Sequence, residues 1–318
     1  MRRLGTVLLG ITSCLFCISA MAAWPERAVK IVVPFAAGGP ADGAMRIAAR
    51  RLAEEWGQPV VVENKPGAPG ISSVATAPGD GYTLLLGAGS SIVTSPLINK
   101  KIPYKAADFA PITLLTTSTS ILTVHPSLGV KTLQGFIAYA RANPGTVCFS
   151  SSGLGSPGHL MMEMFQQRTG TKMTHVPYKG GAPAVIDLIG GVVHAGVNAT
   201  PTVIQHIQSN KLLPLAVANR HRDPSLPDVP TMAEAGVADL EFDVWYGVFA
   251  PVKTPAGIIG KVSADLRKIL AEPAVQKQLR AQGNEPGGTT PAQLAKMVQD
   301  ETQIWGKLIR ERNLSLDE

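Results

Sequence analysis

Two glycine-rich loops carry the residue types and the spacing best suited to binding an anion. The first, at residues 34–42, has the sequence PFAAGGPAD, and the second, at residues 150–159, has the sequence SSSGLGSPGH. Each follows a predicted strand and leads into a predicted helix. Glycines let the backbone approach a ligand closely, and the free N–H groups at a helix start attract negative charge. Both loops therefore predict an anion site, although the first also fits a plain turn in which Asp42 caps the helix.

The second loop also satisfies the G-x-G-x-x-G pattern of dinucleotide sites through Gly153, Gly155 and Gly158. In such sites an acidic residue about 20 positions further on holds the ribose, but Tyr178 occupies that region here. The pattern is therefore weak support for a nucleotide. The serine hydroxyls and backbone N–H groups of the loop suit a carboxylate as well as a phosphate.

Few residues suggest catalysis. The sequence has no G-x-S-x-G elbow, no G-K-[ST] phosphate loop, no H-E-x-x-H motif and no cysteine–histidine cluster with metal spacing. We therefore predict no cofactor and no metal. One enzymatic alternative stays open: a secreted serine hydrolase with Ser152 or Ser156 as nucleophile and His159 as base, without an identifiable third member. As a plain helix-start residue, His159 would have no such role.

The segments around the loops predict an α/β fold in two parts, because short apolar β-branched runs alternate with helical patterns. The first part has predicted strands at 29–33, 59–63 and 82–86 and a helix at 41–56. A proline-marked stretch with Pro96, Pro103 and Pro111 follows. The second part has predicted strands at 147–150, 173–176, 192–197 and 213–217 and helices at 132–142, 159–168, 182–189 and 203–209. Three further helices, at 255–270, 273–282 and 291–312, are expected to cover the first sheet.

The chain is expected to cross between the two parts twice, near residues 120–124 and 242–249. Two crossings form a hinge with a cleft between the lobes. We therefore predict a first lobe of residues 23–121 plus 246–318 and a second lobe of residues 122–245, joined by two crossover strands.

The N-terminus predicts export. Arg2 and Arg3 precede an uncharged run that ends in small residues, which is typical of a signal peptide of residues 1–22 cleaved after Ala22. A membrane anchor and lipoprotein processing at Cys14 are the alternatives. After cleavage, Cys148 is the only cysteine left, so no internal disulfide can form.

Length and charge exclude other classes. The chain has 318 residues, 45% of them hydrophobic, with 29 Lys and Arg against 23 Asp and Glu, which gives a formal net charge of +6. Such a length is typical of two domains. The positive charge is mild and scattered, without interleaved aromatic residues, so we expect no nucleic-acid partner.

Ordered motifs add a family resemblance that spans nearly the whole mature chain. They are PFAAGG at 34–39, VVENKPGA at 61–68, DGYTLL at 80–85, DFAP at 108–111, SGLGS at 152–156, HVPYKG at 175–180, LPDVPT at 226–231 and WYG at 245–247. Together they resemble the Bug family of periplasmic solute-binding receptors, the extracytoplasmic subunits of tripartite tricarboxylate transporters.

The resemblance implies a two-lobed periplasmic binding protein of the Venus-flytrap type that is not an enzyme and closes around a small carboxylate. It further implies a monomer that serves the membrane subunits of a tripartite transporter or, on the same fold, a sensor kinase. The implied ligand-binding residues are Phe35, Ala37, Gly38, Gly39, Asp42, Ser90, Ser152, Gly155, Ser156, His159 and Asn198.

Asn198 departs from the family pattern, which commonly has an acid at this strand end. Loss of an acid near the cleft weakens recognition of an amine, so we expect a simple carboxylate rather than an amino acid. The alternative is that Asn198 merely caps the helix that opens at Pro201.

Overall fold

The computed structural model describes residues 24–240 and 243–315. The predicted signal peptide therefore lies outside the described residues. The first part of the chain comprises β1 (Val29–Val33), α1 (Pro40–Trp56), β2 (Val60–Asn64), α2 (Ala68–Ala75), β3 (Thr83–Ala88), a π-helical turn (Ser90–Thr94), α3 (Ser95–Ile98) and β4 (Phe109–Ser118).

The middle of the chain comprises β5 (Ser120–Val124), α4 (Leu133–Ala142), β6 (Cys148–Ser151), α5 (Pro157–Thr169), β7 (Thr174–Pro177), α6 (Gly181–Ile189), β8 (Ala195–Ala199), α7 (Thr200–Gln208) and β9 (Leu213–Val217). The last part comprises β10 (Val244–Pro251), α8 (Ala256–Leu270), α9 (Pro273–Ala281), β11 (Glu285–Pro286) and α10 (Pro291–Glu311).

These elements build two lobes, each around its own sheet. The first sheet has the strand order β11-β4-β10-β3-β1-β2, and the second has the order β7-β6-β8-β5-β9. The two glycine-rich loops, residues 34–42 and 150–159, are the predicted ligand loops, and they follow β1 and β6. Each of these strands has parallel neighbours, β2 and β3 for β1, and β7 and β8 for β6. The two-lobed α/β architecture predicted from the sequence is therefore confirmed.

Sheet membership locates the passages between the lobes. The chain leaves the first sheet at Ser118 and enters the second at Ser120, so Thr119 alone links them. It returns to the first sheet at Val244. Both points lie slightly before the predicted boundaries after residues 121 and 245, because β5 pairs wholly within the second sheet and β10 wholly within the first.

The main error of the sequence interpretation was to pass over β4, a strand of 10 residues. Its Pro111 suggested a connection, since proline cannot donate a hydrogen bond in a sheet. In the structure Pro111 pairs with Phe249 beside a register shift. The outer neighbour, β11, pairs only with Thr116 and Thr117, so no strand lies opposite Pro111 on that side of β4.

The helices that follow the two ligand loops begin in the same way. Pro40 opens α1 and Pro157 opens α5, where a missing N–H is harmless and the fixed φ favours a helix. Each helix then ends at a glycine in the left-handed conformation, Gly57 or Gly170. Because each helix follows a strand through its loop, its N-terminus comes directly after the carboxyl end of that strand. No helix among the described residues is long and apolar enough to cross a membrane.

Candidate functional site

The first ligand loop is organised by Asp42, which is buried in the first turn of α1. Its Oδ2 accepts the backbone N–H of Gly38 at 2.9 Å, and its Oδ1 accepts the side-chain amide of Asn64 at 2.8 Å. Arg46 Nε donates to both oxygens, at 3.0 and 2.9 Å. Both oxygens are thus occupied by protein donors, so Asp42 shapes the loop instead of presenting a free carboxylate.

The pKa of Asp42 reflects these contacts. Burial alone would raise it, but the hydrogen bonds from Arg46, Gly38 and Asn64 together outweigh burial and lower the pKa below its ordinary value. Asp42 is therefore ionised at neutral pH. The plain interpretation of Asp42 as a first-turn acid is consistent with this geometry.

The remaining residues of the first loop are open to the surroundings. Ala37 and Gly38 are exposed and Gly39 is half-buried at the N-cap of α1. A β-carbon on Gly38 would meet nothing within 4 Å. Phe35 packs edge-on against Tyr246 of β10, with ring centroids 5.8 Å apart, and its carbonyl accepts Asn64 Nδ2 at 3.2 Å. This loop thus offers backbone groups beside an aromatic wall.

The second ligand loop is held from beneath by two histidines. The N–H of Gly155 donates to His159 Nδ1 at 3.0 Å. Ser151 Oγ lies 2.7 Å from His175 Nε2 and also contacts both backbone groups of Gly153, accepting its N–H at 3.2 Å and donating to its carbonyl at 2.9 Å. Each of the two glycines is therefore fixed by a histidine, directly or through one hydroxyl.

His159 occupies a different place from the one predicted. It is 1% exposed and stacks on His175 with ring centroids 4.0 Å apart, and His175 stacks in turn on Phe149 at 4.9 Å. Its Nδ1 is occupied by Gly155, and its Nε2 faces Glu163 Oε1 at 3.8 Å. Neither nitrogen can take a proton from Ser152 or Ser156 in this arrangement. The proposed hydrolase dyad is therefore absent from the structure.

Both rings are neutral at physiological pH. Burial, together with the positive charge of Arg312, lowers the pKa of His159 to about 4. Burial and the neighbouring His159 lower the pKa of His175 to about 4, although Glu163 acts in the opposite direction. A neutral ring can accept the Gly155 N–H, which a protonated ring cannot do.

Three buried polar atoms at the head of α5 have no hydrogen-bond partner: Ser150 Oγ, Ser156 Oγ and Asn198 Nδ2. Ser150 Oγ and Asn198 Nδ2 each lie 3.0 Å from the position that a β-carbon would take on Gly196. A side chain at position 196 would therefore crowd both atoms, and glycine lets the two side chains lie close together beside it. Two hydroxyls and an amide can all donate hydrogen bonds to one anionic group.

The third segment, around Ser90, joins the first lobe to the second loop. Ser90 is half-buried at the start of the π-helical turn, while Ser91 Oγ bonds the backbone of Ala88 and so fixes this turn. Thr94 Oγ1 donates to the carbonyl of Gly155 at 3.0 Å across the lobes. A β-carbon on Gly155 would lie 2.5 Å from Cδ1 of the buried Ile98. Gly155 is therefore a contact point between the lobes.

The structure thus places most of the predicted residues in or beside the two loops and the segment around Ser90, with exceptions. Ser152 is exposed, Ser156 and Asn198 present unpartnered donors, and Asp42 and His159 lie behind the loops that they position. Sequence reasoning gave no role to Ser150 or His175. The available signals were the serine that opens the second loop and the HVPYKG motif, which contains His175.

Two cavities lie apart from these loops. One of about 570 Å³ lies between α5 and α10, beside Trp245 and Glu301. Burial raises the pKa of Glu301 to about 7, although Trp245 Nε1 donates to it at 2.7 Å. The other, of about 490 Å³, is lined by Thr119, Thr200 and Asp223 near the passage between the sheets. In the described part of the chain, no group of three or more His, Cys, Asp or Glu could hold a metal ion.

Two α/β lobes with a glycine-rich loop of each lobe at the carboxyl ends of its strands define a two-lobed solute-binding protein. Comparison with known proteins gives the family. Residues 44–314 match the model of the tripartite tricarboxylate transporter family receptor. The chain belongs to this family of periplasmic receptors, which includes the Bug proteins, and the family is not enzymatic.

Relatives and solved structures agree with this assignment. Protein BugT of Bordetella pertussis is 39% identical over 298 residues, which cover 92% of this chain and 91% of BugT. The structure of R. palustris Rpa4515 with adipate has a TM-score of 0.82 and 36% identity, covering 92% of this chain and 99% of that one. MatC from Rhodopseudomonas palustris with bound malate has a TM-score of 0.77 and 30% identity, covering 90% and 100%.

Proposed function

We propose that this receptor binds a small carboxylate, with one carboxylate group at the head of α5. The observation that carries the proposal is the set of unpartnered buried donors, Ser150, Ser156 and Asn198. An unsatisfied buried polar group costs about 1–3 kcal/mol, so the site favours an acceptor that satisfies all three. A carboxylate has enough lone pairs to do so.

Neutral donors and helix ends supply the attraction in this proposal. The N-termini of α1 and α5 each carry a partial positive charge of about half an elementary charge, directed at the loops. The bound ligands named for Rpa4515 and MatC, adipate and malate, are both small dicarboxylates. For this chain we therefore propose a dicarboxylate, with its second carboxylate at the backbone groups of the first loop, around Ala37 and Gly39.

Closure accompanies binding in this proposal. Thr94 and Ile98 of the first lobe already contact Gly155 of the second, so a ligand between the loops adds to contacts that join the lobes. A ligand that contacts both loops binds the closed form better than the open form and shifts the population toward closure. Calorimetry with adipate, malate and a monocarboxylate, together with X-ray scattering to detect compaction, tests this. A chain that binds none of them and keeps its dimensions contradicts the proposal.

Asn198→Asp tests the position of the carboxylate. The new negative charge would lie beside the ligand carboxylate, so we expect adipate binding to weaken by at least tenfold, about 1.4 kcal/mol. Asn210→Asp is the matched control, since Asn210 is exposed and adds the same charge at the surface. Equal affinity in the two variants would show that the carboxylate binds elsewhere.

The setting of the receptor is also proposed. Residues 1–22 would direct export to the periplasm, and the loaded receptor would act as a monomer that delivers its ligand to the membrane subunits of a tripartite transporter. A role in presenting the ligand to a sensor kinase is the second candidate. Deleting the gene separates the two roles: loss of adipate uptake indicates transport, and loss of an adipate-dependent transcriptional response with uptake unchanged indicates signalling.

A further inference from the structure

The histidine pair beneath the second ligand loop has a fixed hydrogen-bond direction. The backbone N–H of Gly155 can only donate, so His159 Nδ1 must be the acceptor at 3.0 Å. The proton of the neutral ring is then on Nε2, which faces Glu163 Oε1 at 3.8 Å. A proton added to Nδ1 would face the N–H of Gly155, and the bond that holds this glycine would be lost.

The charges around His159 keep that proton away. Glu163 lies one helical turn further along α5, but its carboxylate is already paired with Arg312 at the end of α10, with distances of 2.6 and 2.7 Å to Oε2. Gln166 Nε2 also donates to Glu163 Oε1 at 3.1 Å. On the other side, the ring of His175 stacks at 4.0 Å. Arg312 comes from the first lobe, so the charge balance under the second loop depends on both lobes.

We propose that His159 is a positioning residue that makes ligand binding pH dependent. Its unprotonated Nδ1 holds Gly155, and with it the Thr94 contact between the lobes, in the ligand-binding arrangement. Acidification protonates the ring, frees Gly155 and releases the ligand. Arg312 sets the pH at which this occurs. The inference rests on the proposed function only for the choice of ligand.

Two substitutions of His159 separate its acceptor from its bulk. His159→Asn places an amide oxygen where Nδ1 lies and cannot be protonated in this pH range, whereas His159→Leu fills similar space without an acceptor. We expect adipate affinity at pH 7 to stay within about threefold of the original for Asn, and to fall about five- to tenfold for Leu, the usual effect of one lost hydrogen bond.

The pH profile distinguishes positioning from a merely structural role. Calorimetry with adipate between pH 7 and pH 3.5 should show that the unmodified chain loses affinity relative to His159→Asn, mainly below about pH 5, because the ring has a pKa of about 4. The protonation of adipate itself is common to both proteins and cancels in the ratio. A ratio that stays constant over this range would overturn the proposal. Circular dichroism at each pH confirms that both proteins remain folded.

Arg312→Gln should move the loss of adipate affinity to a higher pH. Removing this cation leaves Glu163 free to pair with a protonated His159, so the loss of affinity should shift upward by about one pH unit. Arg310→Gln is the control, because Arg310 is exposed on the same last turn of α10. A shift of equal size in both variants, or in neither, would contradict the role assigned to Arg312.

A readout without ligand separates this inference from the proposed function. In a ¹⁵N-glycine-labelled sample, the Gly155 amide resonance should titrate together with the His159 ring and become insensitive to pH in His159→Asn. If adipate fails to bind at any pH but Gly155 titrates in this way, the ligand proposal fails and the positioning role stands. If His159 titrates without any change at Gly155, the positioning role fails.

Discussion

The first ligand loop is held by an ionised carboxylate, whereas the second is held by neutral imidazole rings. Asp42 accepts the Gly38 N–H and is paired with Arg46, whose side chain is 50% exposed. His159 accepts the Gly155 N–H within a stack that includes His175 and is itself 1% exposed. The same task, fixing the N–H of one glycine, is therefore performed by two different acceptors.

The difference follows from what surrounds each of these two buried acceptors. A charged acceptor makes the stronger hydrogen bond, but it must be compensated when it is removed from water. For Asp42, the half-exposed Arg46 and the amide of Asn64 provide that compensation. Beneath the second loop the ring of His159 is enclosed, and a neutral acceptor avoids the cost of burying a charge. The two loops should therefore fail under different conditions.

Acidification is expected to have the largest effect, and it acts on the free energy of unfolding. The folded pKa of His159 lies at about 4, below the ordinary value of 6.5, so the unfolded chain binds this proton more readily. The free energy of unfolding should therefore fall as the pH drops from about 6.5 to 4, by roughly 2 kcal/mol from this group between pH 7 and pH 5. His175 acts in the same direction.

Asp42 responds in a lower window. Its folded pKa lies below the ordinary value of 3.8, so its contribution is intact above that value and is lost only as the pH falls further. Urea unfolding of the original chain and of His159→Asn at pH 7, 6 and 5 measures the His159 contribution above the pH window of Asp42. If the variant loses stability as steeply as the original, His159 does not distinguish the two loops.

The two loops also differ in what the sequence alone could predict. The strand, glycine and helix pattern located both loops, and Asp42 could be predicted as a first-turn acid from its position after Pro40. The burial of His159 could not, because it depends on His175 from another strand and on Arg312 from the far end of the chain. Long-range stacking leaves no local periodicity.

The same limit applies to the fold. The alternation of strands and helices predicted two lobes, since it reports local pairing and one buried face. It missed β4, because Pro111 is compatible with a strand only where the neighbouring strand is short, and that depends on β11 near the other end of the chain. Contacts between lobes, such as Thr94 with Gly155, likewise appear only in the folded molecule.

Alanine at the two glycines that these acceptors hold gives the next largest effect. Gly38 has φ +81° and Gly155 has φ +74°, so alanine is strained by about 1–2 kcal/mol at either position. Only Gly155 adds a collision, since its β-carbon would lie 2.5 Å from Ile98 Cδ1 of the other lobe. We expect Gly155→Ala to weaken adipate binding at least tenfold and Gly38→Ala to weaken it only a few-fold, as measured by calorimetry.

A double substitution tests whether the collision is the cause. Ile98→Val removes the Cδ1 atom that a β-carbon on Gly155 would meet. In the combination with Gly155→Ala, adipate affinity should recover beyond the sum of the single effects, because neighbouring residues couple. Strictly additive effects would place the loss in the backbone of the second loop alone, and the two glycines would then be equivalent.

Of the two predicted changes in stability, the smaller is expected from removing the charge that holds the first loop. In Asp42→Asn one of the two oxygens becomes an amide nitrogen, so at least one donor among Gly38, Asn64 and Arg46 loses its acceptor. The free energy of unfolding should fall by about 1–2 kcal/mol. Asp300→Asn is the control, since Asp300 pairs with Lys296 at the surface, with side chains 50% and 74% exposed, and should change stability by less than about 0.5 kcal/mol. Urea unfolding at pH 7 measures both variants. If Asp42→Asn is as stable as Asp300→Asn, the left-handed turn at Gly38 holds the first loop without a charged acceptor. The first loop would then be held by its backbone, and the second by buried histidines.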